Sequence, residues 1–157
     1  MDFFDSNVLV YAAMDQDPRK QKIALFLFGE AVERGTGAIS LQVLREIANC
    51  MFKKSGSSFE TIRNDVDAFK ALPRVPESEA LLDRGMEIKE RYGIQFYDAL
   101  IVASAEAAGC DTVYSEDLAD GAVYGSVRVV DPFKHNLGKQ HPAVPESPRS
   151  RTRKSKK

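Results

Sequence analysis

Hydrophobic positions along this chain follow two rhythms. Short apolar runs, Phe3-Phe4, Gly37-Ala38-Ile39, Thr112-Val113-Tyr114 and Val127-Arg128-Val129-Val130, read as brief buried strands. Between them lie longer segments in which apolar residues recur at helical spacing. Asp17-Pro18 predicts the start of the first helix, an acid at the N-cap with proline at the first helical position, and Gly35 predicts its end. Leu41, Leu44, Ile47, Ala48 and Met51 form the apolar stripe of a second helix, with Glu46 off that stripe. Ser57-x-x-Glu60 has the form of a capping box opening a third helix through Val66, Phe69 and Leu72, which Pro73-Arg74-Val75-Pro76 must terminate. Ser78 can cap a fourth helix ending at Gly93. A fifth begins around Tyr97-Asp98, runs through the alanine-rich residues 99–108 and closes at Gly109. The segment Val8-Leu9-Val10-Tyr11 reads as an apolar turn. Strands alternating with helices in this way predict an α/β sandwich built on a parallel sheet.

The longest unbroken apolar run, Ile23-Ala24-Leu25-Phe26-Leu27-Phe28, is far below the roughly 18 to 20 residues of a membrane span. A chain of 157 residues with 43% hydrophobic content suits one domain around a single core. Met1-Asp2-Phe3-Phe4-Asp5 offers neither a basic region nor a small-residue cleavage site, so a cytoplasmic protein is expected. Cys50 and Cys110 stand far apart without a C-x-x-C pair, which predicts two buried, reduced thiols. The net charge of −1 conceals an asymmetry. Residues 1–137 carry 15 basic and 22 acidic side chains, residues 138–157 carry 7 and 1, and the latter include three prolines and no aromatic residue. The expected organisation is an acidic folded domain over 1–137 and a basic, disordered tail over 138–157.

Four acids take particular places in this pattern. Asp5 ends the first strand, Glu46 lies on the second helix, Asp98 stands in the first turn of the fifth, and Asp117 follows the Thr112-Val113-Tyr114 strand. In an open parallel sheet, sites form outside the carboxyl ends of the strands, so Asp5 and Asp117 are delivered to one edge and Asp98 can join them. Each acid alone has a plain explanation: Asp98 as a helix-terminal residue, Glu46 on a solvated face, Asp117 in a turn. Asp5 resists one, because an acid among Phe3, Phe4, Val8 and Leu9 is costly to bury unpaired. Carboxylates sharing a cleft must take up protons or bind a cation, and oxygen-only ligands suit Mg²⁺ or Mn²⁺ better than zinc.

These residues resemble a known family. Phe3-Phe4-Asp5-Ser6-Asn7-Val8-Leu9 is similar to the opening of PIN domains, a strand followed by D-[TS]-N-V-L, with Ser6 where threonine is usual. Ser40-x-Gln42-Val43-Leu44-x-Glu46, Tyr97-Asp98-Ala99-Leu100-Ile101 and Tyr114-Ser115-Glu116-Asp117-Leu118 resemble its later signatures, and Val129-Val130-Asp131-Pro132-Phe133 resembles the end of VapC-type toxins. The resemblance covers residues 2–133. It implies a three-layer sandwich with a central parallel sheet flanked by helices. It further implies an endoribonuclease in which Asp5, Glu46, Asp98 and Asp117 form a Mg²⁺ or Mn²⁺ site, with Asp5 and Asp98 the foremost ligands. Asn7 and Ser115 would hold these carboxylates by hydrogen bonds, and Glu116 is a further contributor. The implied products carry 5′-phosphate and 3′-hydroxyl ends, and the implied partners are RNA, a VapB-like antitoxin and a second copy of the chain.

Other classes fit less well. A phosphatase of the haloacid-dehalogenase type also opens on a strand-terminal Asp but wants D-x-D, and position 7 is Asn. A receiver domain needs a phosphoacceptor Asp in mid-chain, where residues 53–58 read Lys-Lys-Ser-Gly-Ser-Ser. A catalytically silent RNA-tethering scaffold would keep the fold, but it has no need of four intact acids. His135 and His141 fall beyond the last strand, in surface or tail positions. The tail is expected to hold RNA that the acidic body repels. Deleting residues 138–157 should therefore flatten the log–log salt dependence of RNA binding by a few units at most, at about 0.7 per phosphate on single strands. An unchanged slope would remove the tail from binding.

Overall fold

A computed structural model of the chain describes residues 1–135 and 137. The expected boundary and tail at 138–157, including His141, lie outside the described residues. Asp2–Phe4 forms β1, a strand of three residues whose two phenylalanines are wholly buried. Asp5 then turns the chain into α1, Ser6–Ala13, so the Val8-Leu9-Val10-Tyr11 segment is helical and not a turn. Val8, Leu9 and Ala12 are buried along it, and that packing outweighs the weak helix propensity of two valines. Helix α2, Pro18–Arg34, has the expected ends: Asp17 accepts from the backbone N–H groups of Arg19 and Lys20, and Gly35 closes it in the left-handed conformation.

Strand β2, Gly37–Ser40, leads directly into α3, Leu41–Lys54, whose N-cap is Ser40. Helix α4, Phe59–Phe69, is capped by Ser58, which accepts from Thr61 N–H, so the capping residue is one position later than the Ser57 pattern predicts. It ends before Leu72, which is nevertheless 1% exposed. The terminating stretch contains a strand of its own, β3, Arg74–Val75. Helix α5, Glu79–Tyr92, runs from the Ser78 cap to Gly93, and α6, Phe96–Ala107, starts slightly earlier than expected. Strand β4, Thr112–Tyr114, is followed by β5, Val123–Tyr124, and β6, Val127–Val130.

The six strands form one sheet in the order β3-β2-β1-β4-β6-β5, parallel except for the antiparallel β5–β6 pair. That hairpin was not legible from hydrophobic rhythm. Its turn is Gly125-Ser126, with Gly125 at φ +59°, where a Cβ would also strike the Glu106 carboxylate. The chain grows outward from β1 to β2 and β3, then returns to add β4 on the other side of β1. The reversal makes a crevice between the carboxyl ends of β1 and β4. Helices flank the sheet, with α5 packed on α6 and α1 packed on α2 and α3. Among the described residues no helix is long and apolar enough to cross a membrane. Both cysteines are free, but only Cys110 is buried, and burial pushes its thiol up to about 11.

Gly29 lies in the middle of α2 on an exposed face, and a Cβ there would meet nothing within 4 Å. Gly29→Ala should therefore stabilise the protein by about 0.5 to 1 kcal/mol, through reduced backbone entropy in the unfolded chain. Denaturant melts check it, and a loss of stability would contradict the open face.

Candidate active site

The site grows from the end of β1. Asp5 is 4% exposed, and it is also the N-cap of α1, so its carboxylate is pinned in both directions. Oδ1 accepts from the Ser6 backbone N–H at 2.7 Å, and Oδ2 accepts from Asn7 Nδ2 at 2.9 Å and Ser115 Oγ at 2.8 Å. The Asp5 N–H donates to the Tyr114 carbonyl at 3.0 Å, tying the first residue past β1 to the last of β4. Burial pushes the Asp5 carboxyl up to about 6; the bonds from Ser115 and Ser6 N–H oppose the rise, and Glu46 and Asp98 add to it.

Ser115 also organises the loop after β4. Its Oγ accepts from the backbone N–H groups of Asp117 and Leu118 at 3.3 Å each, and Asn7 Oδ1 accepts from Glu116 N–H at 3.1 Å. Asn7 thus holds Asp5 with one end of its amide and the β4 loop with the other. Both Asn7 and Ser115 hydrogen-bond the Asp5 carboxylate.

Glu46 projects from α3 towards the same place. Its carboxylate accepts from Ser6 Oγ at 2.5 Å and from Gln42 Nε2 at 2.8 Å, one helical turn back. Gln42 Nε2 also donates to the Tyr97 carbonyl at 3.3 Å, which links α3 to the start of α6. Ser6 and Gln42 are contributors that sequence reasoning left without a role. The i,i+4 spacing of Gln42 and Glu46 was the available signal. Asp98 lies in the first turn of α6, and its carboxyl is raised by burial, then by Asp117 and Glu46. Asp98 and Asp117 line a cleft of about 390 Å³ with Lys89, Gln95 and Tyr124.

The four acids therefore act on one another, but they do not form a closed ligand set. Among the described residues no three His, Cys, Asp or Glu side chains converge tightly enough to hold one ion as they stand. The oxygens of Asp5 and Glu46 are taken up by neutral donors: a backbone N–H, two serines, an asparagine and a glutamine. Glu116 points elsewhere, its carboxylate paired with Lys20. His135 is also outside the group, with Nε2 at 2.9 Å from Asp120. A larger hollow of about 520 Å³ is bordered by Val75, Leu81 and Ala103, and its carboxylate, Glu106, is held by Arg84.

The PIN-domain family model matches residues 3–119, a span that takes in all four acids. The chain belongs to the PIN-domain family. No curated protein sequence matches it. This PIN domain is similar in structure to a toxin–antitoxin complex from Klebsiella pneumoniae, with a TM-score of 0.61 and 19% identity over 84% of this chain and 98% of that one. It is also similar to VapC20 of Mycobacterium tuberculosis, a toxin that cleaves the sarcin–ricin loop, with a TM-score of 0.63 and 18% identity over 82% and 99% of the two chains. A third similar structure is VapBC2 of Rickettsia felis, bound to a DNA fragment of its promoter, with a TM-score of 0.61 and 20% identity over 82% and 96%. At these identities the likeness is one of fold: a mostly parallel central sheet flanked by helices.

The raised Asp5 carboxyl has a defined sign in stability. Its ordinary value is 3.8, so between pH 4 and 6 the folded protein retains a proton that the unfolded chain has lost. Stability of the metal-free protein should fall as pH rises through that window and level off above it, with a cost from this group of about 3 kcal/mol. Asp5→Asn should remove that component of the pH dependence. Paired denaturant melts from pH 3.5 to 7.5 check it, and parallel pH profiles would count against the buried carboxyl.

Proposed function

We propose that this PIN domain is a metal-dependent endoribonuclease, the toxin of a VapBC-type pair. The observation that carries the reading is the buried Asp5 carboxylate at the β1–β4 crevice, acted on by Glu46 and Asp98 and held, among the described residues, by neutral donors. Such a group of like charges favours a cation, and its all-oxygen composition fits Mg²⁺ or Mn²⁺. Asp5 and Asp98 would be the foremost ligands, with Glu46 and Asp117 completing the set. When bound, the ion supplies an acidified water and neutralises charge at a phosphodiester.

The chain's own residues do the positioning. Ser6, Asn7 and Ser115 fix the Asp5 carboxylate, Gln42 and Ser6 fix Glu46, and the first turn of α6 presents Asp98 to the cleft. Lys89, on the cleft wall, brings a positive charge to a substrate phosphate. The fold shared with toxin–antitoxin complexes supports a small protein inhibitor. An Arg or Lys of that inhibitor would be drawn to the acidic cleft, and the toxin would act as a homodimer.

Asp98→Asn tests the assignment. Cleavage of RNA with Mg²⁺ or Mn²⁺ should be abolished, because a neutral amide binds these ions poorly. The metal-free variant should melt no lower than wild type, since one of several mutually repelling charges is gone while a helix-start residue is kept. Mg²⁺ should raise the wild-type melting temperature, and the increment should shrink in the variant. Cleavage near wild type in Asp98→Asn would overturn the site.

A further inference from the structure

Two adjacent acids follow β4, and only one of them meets Asp98. Asp117 lines the cleft, whereas the Glu116 carboxylate is turned away and pairs with Lys20. Lys20 is only 18% exposed along its side chain, Glu116 30%. The Lys20 ammonium also donates to Tyr11 Oη at 3.1 Å and sits 4.6 Å from the centroid of the Tyr11 ring and 5.0 Å from that of Phe133. Those two rings pack edge to face, 5.1 Å apart. Phe133 is buried, and its N–H donates to Asp131 Oδ1 at 2.9 Å.

Lys20 does not hold this place for the sake of its helix. It stands in the first turn of α2, where the positive end of the helix dipole disfavours a cation. The compensating contacts all come from other segments: α1 through Tyr11, the β4 loop through Glu116, and the closing segment through Phe133. On the far side of that loop, Asn7 and Ser115 hold the Glu116, Asp117 and Leu118 backbone amides and the Asp5 carboxylate together. The loop is gripped from both sides.

We propose that Lys20 is a positioning residue: itself seated on Tyr11 and Phe133, it holds Glu116 and thereby orients the 115–118 turn so that Asp117, and not Glu116, joins the carboxylate group. The proposal rests on the nuclease reading for its effect on catalysis, but not for its effect on the turn. Without Lys20, Glu116 is an unpaired, part-buried carboxylate next to a cluster of like charge, and the turn rearranges to expose it.

Lys20→Met keeps most of the stem and removes the charge; Lys20→Met/Glu116→Gln removes both charges. In the full chain with Mn²⁺ and an RNA substrate, Lys20→Met should lose about tenfold in kcat with KM little changed, the scale of losing a residue that orients a metal-binding group. In ¹H–¹⁵N spectra of the metal-free protein, the Asn7 side-chain amide and the Asp117 and Leu118 backbone amides should shift. The double variant should recover most of both effects, which apolar packing of the lysine stem alone would not produce. Wild-type kcat and unshifted amides in Lys20→Met would overturn the proposal. So would a double variant as impaired as the single. If wild type cleaves no RNA with either ion, the nuclease reading fails, and the spectra still decide whether Lys20 orients the turn. Should Lys20→Met not fold, Lys20→Gln carries the same comparison, since its amide can still donate to Tyr11.

Discussion

A carboxylate buried at the end of a three-residue strand is the constraint on which this molecule depends. Asp5 follows two wholly buried phenylalanines and precedes the buried Val8 and Leu9, so water cannot solvate it. An unpaired ion there would cost several kcal/mol, a large part of a domain's net stability. The chain offsets that cost with three donors at 2.7 to 2.9 Å, from Ser6, Asn7 and Ser115. Two of these come from the next two residues and one from a residue 110 positions away. The bond from Ser115 therefore does tertiary work, joining the β4 loop to the start of α1.

The sheet order explains why those groups can meet. Strands β1 and β4 are parallel neighbours in register, Phe4 opposite Tyr114, so the residues just beyond each strand emerge at the same level. Strands β2 and β3 extend the sheet in one direction and β6 and β5 in the other, so the strand order reverses at the β1–β4 junction. Helix α3 brings Glu46 to it from β2, and α6 brings Asp98. Gln42 couples the two helices, accepting neither charge nor proton while donating to Glu46 and to the carbonyl just before Asp98.

Most of this was legible in the residues. The helix ends at Gly35 and Gly93 take the left-handed conformation that only glycine adopts readily, and the Asp17-Pro18 start behaves as its chemistry requires. The four acids occupy the expected elements. What escaped was structure that exists only through pairing: β3 and β5 have two residues each, too few to display an alternation, and owe their strand geometry to β2 and β6. Helix α1 escaped because eight residues with two valines carry little helical signal until Asp5 caps them and the core buries one face. The capping serine of α4 was displaced by one because two serines stand in succession, and backbone angles rather than residue type choose between them. The opposite fates of Glu116 and Asp117 were equally hidden, since they depend on Lys20, almost a hundred positions away.

The choice of neutral donors around the acids is itself informative. An arginine or lysine placed beside Asp5 would stabilise the buried carboxylate more strongly than a serine or an asparagine does. It would also cancel the negative charge that gathers at the crevice. Ser6, Asn7, Gln42 and Ser115 instead orient the oxygens of Asp5 and Glu46 while leaving their charge uncompensated. Burial first, and the neighbouring acids after it, raise the Asp5 and Asp98 carboxyls, and the Ser115 and Ser6 bonds temper the rise at Asp5. Lys20 shows that the fold can deliver an ammonium to within one residue of Asp117, yet it is bound to Glu116 and enclosed by two rings. The protein thus separates two tasks that one salt bridge would merge: the cationic contact holds Glu116, and the neutral contacts orient the Asp5 and Glu46 carboxylates without cancelling their charge.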